Sequence, residues 1–581
     1  MQRIRGLKMI LRYAVGILAL VAGSSDAFSL HSITLRNKPE SPAMVPKVLL
    51  RQSRLRHVLA QKRCRSMMDL RRLEATTEDI RETPGVKNDV ATTPRSSRDE
   101  DEEAEWPYDW RKHWYPVSFD TDIAKGPKPF GVSIFDEPLM LFRDTSGALQ
   151  CVSDFCPHRA SKLSEGQITE EGKVECLYHG WQFDGSSGNC IKIPQLPEDA
   201  SIPQAARLRV YPVAVSEGVV FVWMGDDPWG DGAKDILPVP STGQNLDENK
   251  PDFVNEFVYD LPYDWSYLVE NLLDPAHICI SHDATSGGGS KDKAGPIDFE
   301  VVREGTDAPS PRGFVSLVTM DSFGREKKKS TTRYTFEAPG ILRQRSEGKK
   351  EGEFSFGAAL HCIPLGKGRS RLLFKAGVFS MNIPPVLKFI LKLKPKVLRN
   401  LNSCKVLEQD VKLICAQEDH VARTGQPLAQ AFLPIKTSDA LVVELRKWLD
   451  HVGHGMPYFT GWNKRKEPAH LSDHEDSRLH NHRSNVSRYH RHVLISTETR
   501  RALAAVQRIK KVGLALAAAL ATGSVLLVGP GAGMGTAAMS RIRAISIAAL
   551  CGAVCSLSFG VAALVLEGHF YRNFERHPAL E

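Results

Sequence analysis

The stretch CPHRASKLSEGQITEEGKVECLYHG, residues 156–180, contains two cysteine and histidine pairs separated by a polar segment. Cys156 and His158 have C-x-H spacing, and Cys176 and His179 have C-x-x-H spacing. Two thiolates and two imidazoles can bind zinc or an iron–sulfur cluster, and the pattern can also arise by chance. The surrounding sequence is needed to choose among these three interpretations.

The distribution of the four side chains favours the cluster. Structural zinc sites usually place two cysteines on one knuckle, whereas each loop here supplies one cysteine and one histidine. A [2Fe-2S] cluster with two thiolates on one iron and two imidazoles on the other, the Rieske type, needs this arrangement. Ser161 and Tyr178 stand near the places where respiratory Rieske proteins carry an additional cysteine. We therefore predict that the four residues bind a Rieske cluster of the oxygenase and ferredoxin type.

Short apolar runs rich in Val, Phe and Tyr surround both loops. They extend from Trp110 to about Met224 and are separated by Gly, Pro and Asp turns. This pattern is typical of a small β-barrel or sandwich. We expect an all-β Rieske domain over residues 106–235.

A second histidine motif follows about a hundred residues later. The stretch NLLDPAHICISH places Asp274, His277 and His282 in a D-x-x-H-x4-H pattern. Mononuclear non-haem Fe(II) sites use two histidines and one carboxylate, which leave positions open for dioxygen and substrate. Histidines on a helix surface are the alternative, but the position after a Rieske motif favours iron. We expect a catalytic domain over residues 250–460.

The third metal ligand is predicted farther along the chain, in KVLEQDVKLICAQED. This stretch has helical periodicity, and Asp410 falls on its apolar face. An unpaired charge is costly there, and a metal ion would satisfy it. Glu408 and Asp419 are rival candidates, and a salt-bridged surface carboxylate is a further alternative. We predict that Asp410 is the ligand.

Charge and the N-terminal sequence predict targeting. Residues 1–73 hold 15 Lys and Arg against 3 Asp and Glu, so the remaining 61 basic and 65 acidic residues exclude a strongly basic, nucleic-acid-binding body. Residues 1–27 are typical of a signal peptide and residues 28–73 of a transit peptide. Residues 74–105 carry 11 acids and are predicted to form a disordered linker. A secreted protein is the alternative, although 11 irregularly spaced cysteines favour a reducing compartment.

Two apolar runs near the C-terminus predict a membrane anchor. Residues 512–529 and 544–566 have about the 20-residue length of a bilayer span and are predicted to form a transmembrane helical hairpin. A buried core hairpin is the alternative. Residues 461–505 are predicted to form a polar, His-rich connector. Its residues 470–492 could hold a second metal site, but their irregular spacing favours a solvated segment. Residues 383–398 mix lysines with aliphatic side chains, which suits either a membrane-surface segment or a core helix.

Together these motifs resemble the pheophorbide a oxygenase family of plant and algal Rieske oxygenases. That family includes chlorophyllide a oxygenase and a Rieske protein linked to the inner-envelope translocon. The resemblance covers about Trp106 to the C-terminus and rests on WRKHWYPV, the two Cys/His loops, NLLDPAH, LEQD and the terminal hairpin. It implies an α+β fold, with a small all-β Rieske domain joined to a helix-grip catalytic domain and a C-terminal transmembrane hairpin.

The resemblance also implies an activity. A membrane-anchored plastid oxygenase would use the [2Fe-2S] cluster and mononuclear Fe(II) to insert oxygen from O2 into a chlorophyll-derived tetrapyrrole, with ferredoxin as electron donor. Asp274 would connect a cluster histidine to an iron histidine across the interface of a homotrimer. The expected location is the inner envelope or thylakoid membrane of a complex algal plastid, with the catalytic domain facing the stroma.

Two other classes of function stay open at this point. The chain could be an electron carrier whose iron site has decayed, although the presence of Asn271, Asp274, His277, His282 and Asp410 argues against this. It could also be a redox accessory subunit of a plastid envelope protein-import complex.

Overall fold

Most of the chain beyond the acidic linker is described by the computed structural model. The predicted signal peptide, leader and linker, residues 1–105, lie outside the described residues. Most of the 383–398 segment and residues 465–485 of the predicted connector also lie outside them. The described residues are 108–225, 239–240, 253–283, 285, 290–302, 310–321, 329–346, 355–379, 395–453, 456–464, 486–527 and 535–574.

Eleven strands in three antiparallel sheets form the N-terminal part of the described chain. Their sheet orders are β1-β11-β10, β2-β3-β4-β9 and β5-β6-β7-β8. The apolar runs WYPVSF and VVFVW form two paired strands in which every residue is buried. This is expected when strand-forming residues occupy both faces of a strand. The strands are β1 Trp114–Phe119, β2 Phe130–Ile134, β3 Glu137–Arg143, β4 Leu149–Ser153, β5 Gln167–Ile168, β6 Val174–Glu175, β7 Gln182–Phe183, β8 Cys190–Lys192, β9 Val210–Tyr211, β10 Val213–Ser216 and β11 Val219–Trp223.

A seven-stranded antiparallel sheet with helices against it follows, in the order β12-β18-β17-β16-β15-β14-β13. The predicted α+β class and the all-β Rieske part are confirmed. The strands are β12 Phe253–Leu261, β13 Asp298–Val302, β14 Gly313–Asp321, β15 Lys329–Glu337, β16 Ile341–Ser346, β17 Ser355–Gly366 and β18 Arg369–Phe379. The helices are α1 Trp265–Leu273, α2 Ile278–Ser281, α3 Lys396–Thr424, α4 Leu428–Ala431 and α5 Ala440–Val452.

Three buried tryptophans join the helices to this sheet. Trp110 makes edge-to-face contacts with Trp265 of α1 and Trp448 of α5, with ring centroids 5.7 and 5.9 Å apart. The indole N–H of Trp265 donates to Cys362 O at 3.0 Å, and that of Trp448 donates to Ser310 O at 2.9 Å. Buried indoles with satisfied N–H groups fix both orientation and depth. The cluster therefore positions α1, which leads directly into the second histidine motif.

Two long helices end the described chain, α6 Thr497–Leu527 and α7 Thr536–Tyr571. Both are long and apolar enough to cross a membrane, by length and composition. They include most of the first predicted run and all of the second. Asp122 from the Rieske part accepts a hydrogen bond from Thr497 N at 2.6 Å and so contacts the first turn of α6.

The expectation of a solvated connector is wrong for its described end. Arg488, Arg491 and His492 are all buried there, and helix α6 begins within the predicted connector. The Nδ1–H of His492 donates to Val258 O at 2.7 Å, and its Nε2 lies 3.1 Å from Thr499 Oγ1. Burial lowers the pKa of His492 to about 4, so the imidazole is neutral. Polar side chains can pack in this interior because other groups satisfy their hydrogen bonds.

Helices α6 and α7 approach closely at a pair of glycines. A Cβ atom on Gly513 would lie 3.0 Å from Gly560 N and 3.0 Å from Ser556 O. Small residues allow such backbone contact between apolar helices. At the base of the pair, Lys510 forms an ion pair with Glu567. The two helices are thus held together by both packing and charge.

Replacing Gly513 with leucine should destabilise the helix pair, because the new side chain must displace the α7 backbone. We expect a loss of about 1–3 kcal/mol, the usual effect of overpacking, seen as a lower unfolding midpoint of the full chain in detergent. Gly523→Leu is the matched control, since a Cβ on Gly523 meets nothing within 4 Å. Equal midpoints for the two variants would contradict the close contact.

Candidate metal centres

The two predicted cluster loops share one backbone geometry. In the first loop, Cys156 N donates to Ser161 O at 2.9 Å, and Ala160 N donates to Cys156 O at 2.9 Å. The corresponding bonds in the second loop, donated by Cys176 N and Gly180 N, are 2.9 and 2.8 Å long. Ala160 and Gly180 both have left-handed backbones, with φ of 54° and 73°. This turn presents the cysteine and the following histidine of each loop on one side.

The four predicted cluster ligands come together between the loops. Cys156 and Cys176 are buried and form no disulfide. His158 and His179 lie nearer the surface, with ring centroids 4.5 Å apart. His158 also stacks on Trp181 at 4.7 Å, which fixes its ring. An inner pair of thiols and an outer pair of imidazoles fits a cluster with one buried and one exposed iron.

The left-handed position in each loop predicts opposite effects of two substitutions. Gly180→Ala should weaken cluster retention, because a left-handed alanine costs roughly 1–2 kcal/mol and its Cβ would lie 3.1 Å from Pro194 Cγ. Ala160→Gly should preserve or improve retention, because it relieves the same strain. Loss of visible cluster absorption on heating measures both. A Gly180→Ala protein as resistant as Ala160→Gly would contradict the loop geometry.

The second histidine motif follows the end of α1. Pro275 disfavours continued helix, and Asp274 before it has an extended backbone. Asp274 Oδ1 accepts a hydrogen bond from Ala276 N at 2.8 Å and makes the turn. The short helix α2 then places His277 and His282 at its two ends, with ring centroids 5.1 Å apart. Both imidazoles approach α3.

Asp410 of α3 is buried where the two imidazoles meet. Its Oδ2 lies 3.6 Å from His277 Nε2 and 3.2 Å from His282 Nε2. The three side chains offer ligand atoms within 4.8 Å of one another. Asp410 Oδ2 accepts no hydrogen bond from the residues that the structure describes. A buried carboxylate oxygen between two imidazole nitrogens fits a bound cation, and the donor set is that of mononuclear iron.

The outer nitrogens of the two histidines also have neighbours. His277 Nδ1 lies 3.4 Å from Asp274 Oδ2, and His282 Nδ1 lies 2.9 Å from Gln409 Oε1. The proton on His282 Nδ1 points to Gln409, so its Nε2 keeps a lone pair that faces Asp410. His277 Nδ1 faces Asp274 without forming a hydrogen bond within the described residues. Metal-binding histidines usually have such an oriented outer nitrogen. This second property also fits a metal ion.

The structure separates Asp410 from its rivals and adds one residue. Glu408 forms a buried ion pair with Arg488, and Asp419 does not belong to the group of potential metal ligands found in the described chain. The sequence analysis missed Gln409, whose place directly before Asp410 was the available signal. That the predicted residues bind the cluster and the iron stays a prediction.

Two cavities border helix α3, and one of them is lined by Asp410. One, of about 450 Å³, borders Asn271, Asp274, His277 and Asp410, and contains polar side chains from α1 and α3. The other, of about 380 Å³, lies between the sheet and α3 and is mostly apolar. Its lining residues are Phe257, Leu272, Leu360, Leu372, Phe374, Arg399, Asn402, Ser403, Val406 and Leu407.

Comparison with protein families agrees with this arrangement. The Rieske [2Fe-2S] domain matches residues 113–212, and the pheophorbide a oxygenase domain matches residues 336–427. The chain therefore carries a Rieske domain followed by a domain of the pheophorbide a oxygenase type. A Rieske domain implies a [2Fe-2S] cluster, and the four converging Cys and His side chains lie within the matched range.

Several curated proteins are similar to this chain. Protein TIC 55, chloroplastic, from Arabidopsis thaliana is 39% identical over 363 residues, 61% of this chain and 62% of that protein. The chain thus spans about three fifths of the first curated relatives. Pheophorbide a oxygenase, chloroplastic, from Oryza sativa subsp. japonica is 28% identical over 76% of this chain and 83% of that protein.

Solved structures include similar chains as well. Dicamba monooxygenase bound to dicamba is 20% identical over 59% of this chain and 97% of that chain, with a TM-score of 0.46. A likeness of this degree carries no statement about substrate or mechanism.

Proposed function

We propose that this chain is a membrane-anchored plastid oxygenase that inserts oxygen from O2 into a chlorophyll-derived tetrapyrrole. The observation that carries the proposal is the convergence of His277, His282 and Asp410 at helix α3, whose preceding turn lines an apolar cavity. These three residues would hold Fe(II), and Cys156, His158, Cys176 and His179 would hold the [2Fe-2S] cluster. When bound, the cluster supplies electrons singly and the iron provides the site at which dioxygen is activated.

The residues around the proposed iron ligands orient them. Asp274 faces the outer nitrogen of His277, and Gln409 faces that of His282. The Gln409 contact keeps the proton of His282 on Nδ1, so its Nε2 remains available to the metal, and we propose the same role for Asp274 toward His277. Asp274 is only partly buried and borders the open, more polar cavity. We propose that Asp274 receives electrons from a cluster histidine of another chain.

The apolar cavity is the proposed substrate site. Val406 and Leu407 line it about one helical turn before Asp410, and Leu272 follows Asn271 beside His277. Its aromatic and aliphatic walls suit a flat, apolar ring system. Similarity to the proteins pheophorbide a oxygenase and chlorophyllide a oxygenase supports a tetrapyrrole.

A homotrimer with ferredoxin as donor would complete the electron path. Large apolar side chains surround the exposed cluster histidines, with Leu177 59% and Tyr178 57% exposed. Leu413 and Leu433, which line the polar cavity, are also exposed. If the surface around the cluster histidines of one copy packed against the surface at Leu413 and Leu433 of the next copy, a cluster would lie near Asp274. Exposed apolar patches of this kind support an interface.

The proposed location is the inner envelope or thylakoid membrane of a complex algal plastid, with the catalytic domain in the stroma. Helices α6 and α7 support membrane attachment, and the curated relatives are chloroplastic proteins. An apolar substrate dissolved in the bilayer would make such an anchor useful. An anchor would also hold the catalytic domain near its substrate.

Iron content tests the second metal site. The purified chain should contain about three iron atoms, two in the cluster and one mononuclear. Asp410→Asn should lower this to about two, because the carboxylate ligand is lost while the Rieske loops stay intact. Asp419→Asn, on the same helix, is the control and should keep the full content. A wild-type chain with about two iron atoms would favour an electron carrier instead.

Product analysis tests the reaction. The chain, ferredoxin, a reductase and NADPH should convert a chlorophyllide, pheophorbide or phyllobilin into a product that carries label from isotopic O2. Asp274→Asn should retain both metals yet nearly abolish turnover, because electron transfer and orientation of His277 both depend on the carboxylate. Normal turnover of that variant would exclude this role of Asp274.

A redox accessory of an envelope protein-import complex is the second candidate. Similarity to Protein TIC 55 and to protochlorophyllide-dependent translocon component 52 favours it. Failure to form product from all three substrate types, with both metals present, would favour this candidate over the oxygenase.

A further inference from the structure

A second carboxylate on α3 has a role that the proposed metal site does not explain. Glu408 is buried and accepts four hydrogen bonds. Its Oε1 accepts from Tyr259 OH at 3.0 Å and from Arg488 Nε at 2.7 Å. Its Oε2 accepts from Arg488 Nη2 and, at 2.6 Å, from the backbone N–H of Phe574. All the acceptor positions of this carboxylate are therefore directed to partners.

The partners come from segments that are distant in the chain. Tyr259 belongs to β12, Arg488 precedes α6, and Phe574 follows α7. Arg488 Nη1 also donates to His569 O at 2.6 Å, near the end of α7. Nearby, Asn573 Nδ2 donates to Val486 O at 2.9 Å. One ion pair thus joins the sheet, α3, the segment that precedes α6 and the segment that follows α7.

Stability alone is a weak explanation for this ion pair. Desolvation of a buried pair offsets much of its Coulombic attraction, and apolar residues of the same volume often stabilise a fold as well. Directional hydrogen bonds, in contrast, restrict both the position and the rotation of the groups that make them. Glu408 is 6% and Arg488 1% exposed, so water cannot replace these bonds. The network defines a geometry.

That geometry is transmitted to the adjacent residues of α3. Gln409 contacts His282 Nδ1, and Asp410 lies between both imidazoles. Successive residues of an α-helix point about 100° apart, so Glu408 is held on a different face from Asp410. A small rotation or shift of α3 at Glu408 would therefore move both Gln409 and Asp410.

We propose that Glu408 is a positioning residue that couples the base of the apolar helix pair to the metal site. Through Arg488 and Phe574, the ends of α6 and α7 become part of the framework that holds Asp410 and Gln409. The helix pair then does more than attach the chain to a membrane. This inference rests on the proposed function in one respect, namely that His277, His282 and Asp410 bind iron.

Fe(II) affinity, measured by anaerobic equilibrium dialysis of the full chain in detergent, tests the coupling. Glu408→Gln leaves Arg488 without its counter-charge, so the neutral pair Glu408→Gln with Arg488→Gln is made as well. Both should bind mononuclear Fe(II) about 10–100-fold more weakly, the usual effect of losing support behind a metal ligand. The visible absorption of the Rieske cluster should stay unchanged, since its loops lie in another sheet.

The matched control is a second, partly buried ion pair in the same region. Arg371 bonds to Asp260, the neighbour of Tyr259 on β12, and its Nη1 donates to Val117 O of the Rieske part at 3.0 Å. Asp260→Asn with Arg371→Gln removes equivalent charges without touching α3. Its Fe(II) affinity should equal that of the wild-type chain. An equal loss in this control would identify a general effect of destabilisation and overturn the inference.

Two further outcomes are decisive. A neutral Glu408 and Arg488 variant that keeps its cluster and binds Fe(II) within about twofold of the wild-type affinity, well short of the expected loss, would overturn the positioning role. If neither variant keeps its cluster, Tyr259→Phe decides, because it removes just one donor to Glu408. Unchanged Fe(II) affinity in that variant would overturn the role, and weaker binding would support it. A wild-type chain without mononuclear iron would instead refute the proposed function.

Discussion

The buried Asp410 carboxylate imposes the main electrostatic constraint on the catalytic part. Two imidazole nitrogens with lone pairs face its Oδ2, and the ligand atoms of the three side chains lie within 4.8 Å. Such electron-rich atoms repel one another in a low-dielectric interior unless a cation lies between them. The turn at Asp274, the short helix α2 and the register of α3 all serve to bring these atoms together. The tryptophan contacts that position α1 on the sheet belong to the same arrangement.

The local parts of both centres could be predicted from sequence because neighbouring residues determine them. The Rieske ligands lie within two short turns, and their spacing reflects one repeated backbone geometry. The Asp-Pro pair after α1 and the spacing of His277 and His282 similarly reflect local chain direction. Asp410 lies far away in sequence, but the apolar face of its helix identified it. A charged residue that falls on the same helix face as core residues is expected to be buried.

Long-range pairing could not be predicted in the same way. Glu408 could be weighed only as a rival ligand, because nothing near it in the chain identifies Arg488 as its partner. The polar composition around Arg488 and His492 favoured a solvated connector. Composition shows that burying such side chains is costly, but it does not show which groups would offset that cost. Once Glu408, Val258 and His569 O are nearby, the same side chains are satisfied inside the protein. Gln409 was missed because its function depends on where His282 Nδ1 points.

The two cavities lie along α3, one lined by residues before Glu408 and the other by Asp410 and residues after it. The apolar cavity borders the N-terminal half of α3, and Leu401 in that half packs with Val493, Leu503 and Phe570 at the base of the apolar helices. The more polar cavity lies on the C-terminal side of Asp410, where Asp274 is partly exposed. On the proposed function, a bilayer-dissolved substrate therefore approaches from the anchored side, while electrons enter through Asp274 on the other. Because Glu408 bonds to Arg488 and Phe574, which flank the helix pair, its proposed positioning role would let movement at the base of that pair alter the ligand geometry.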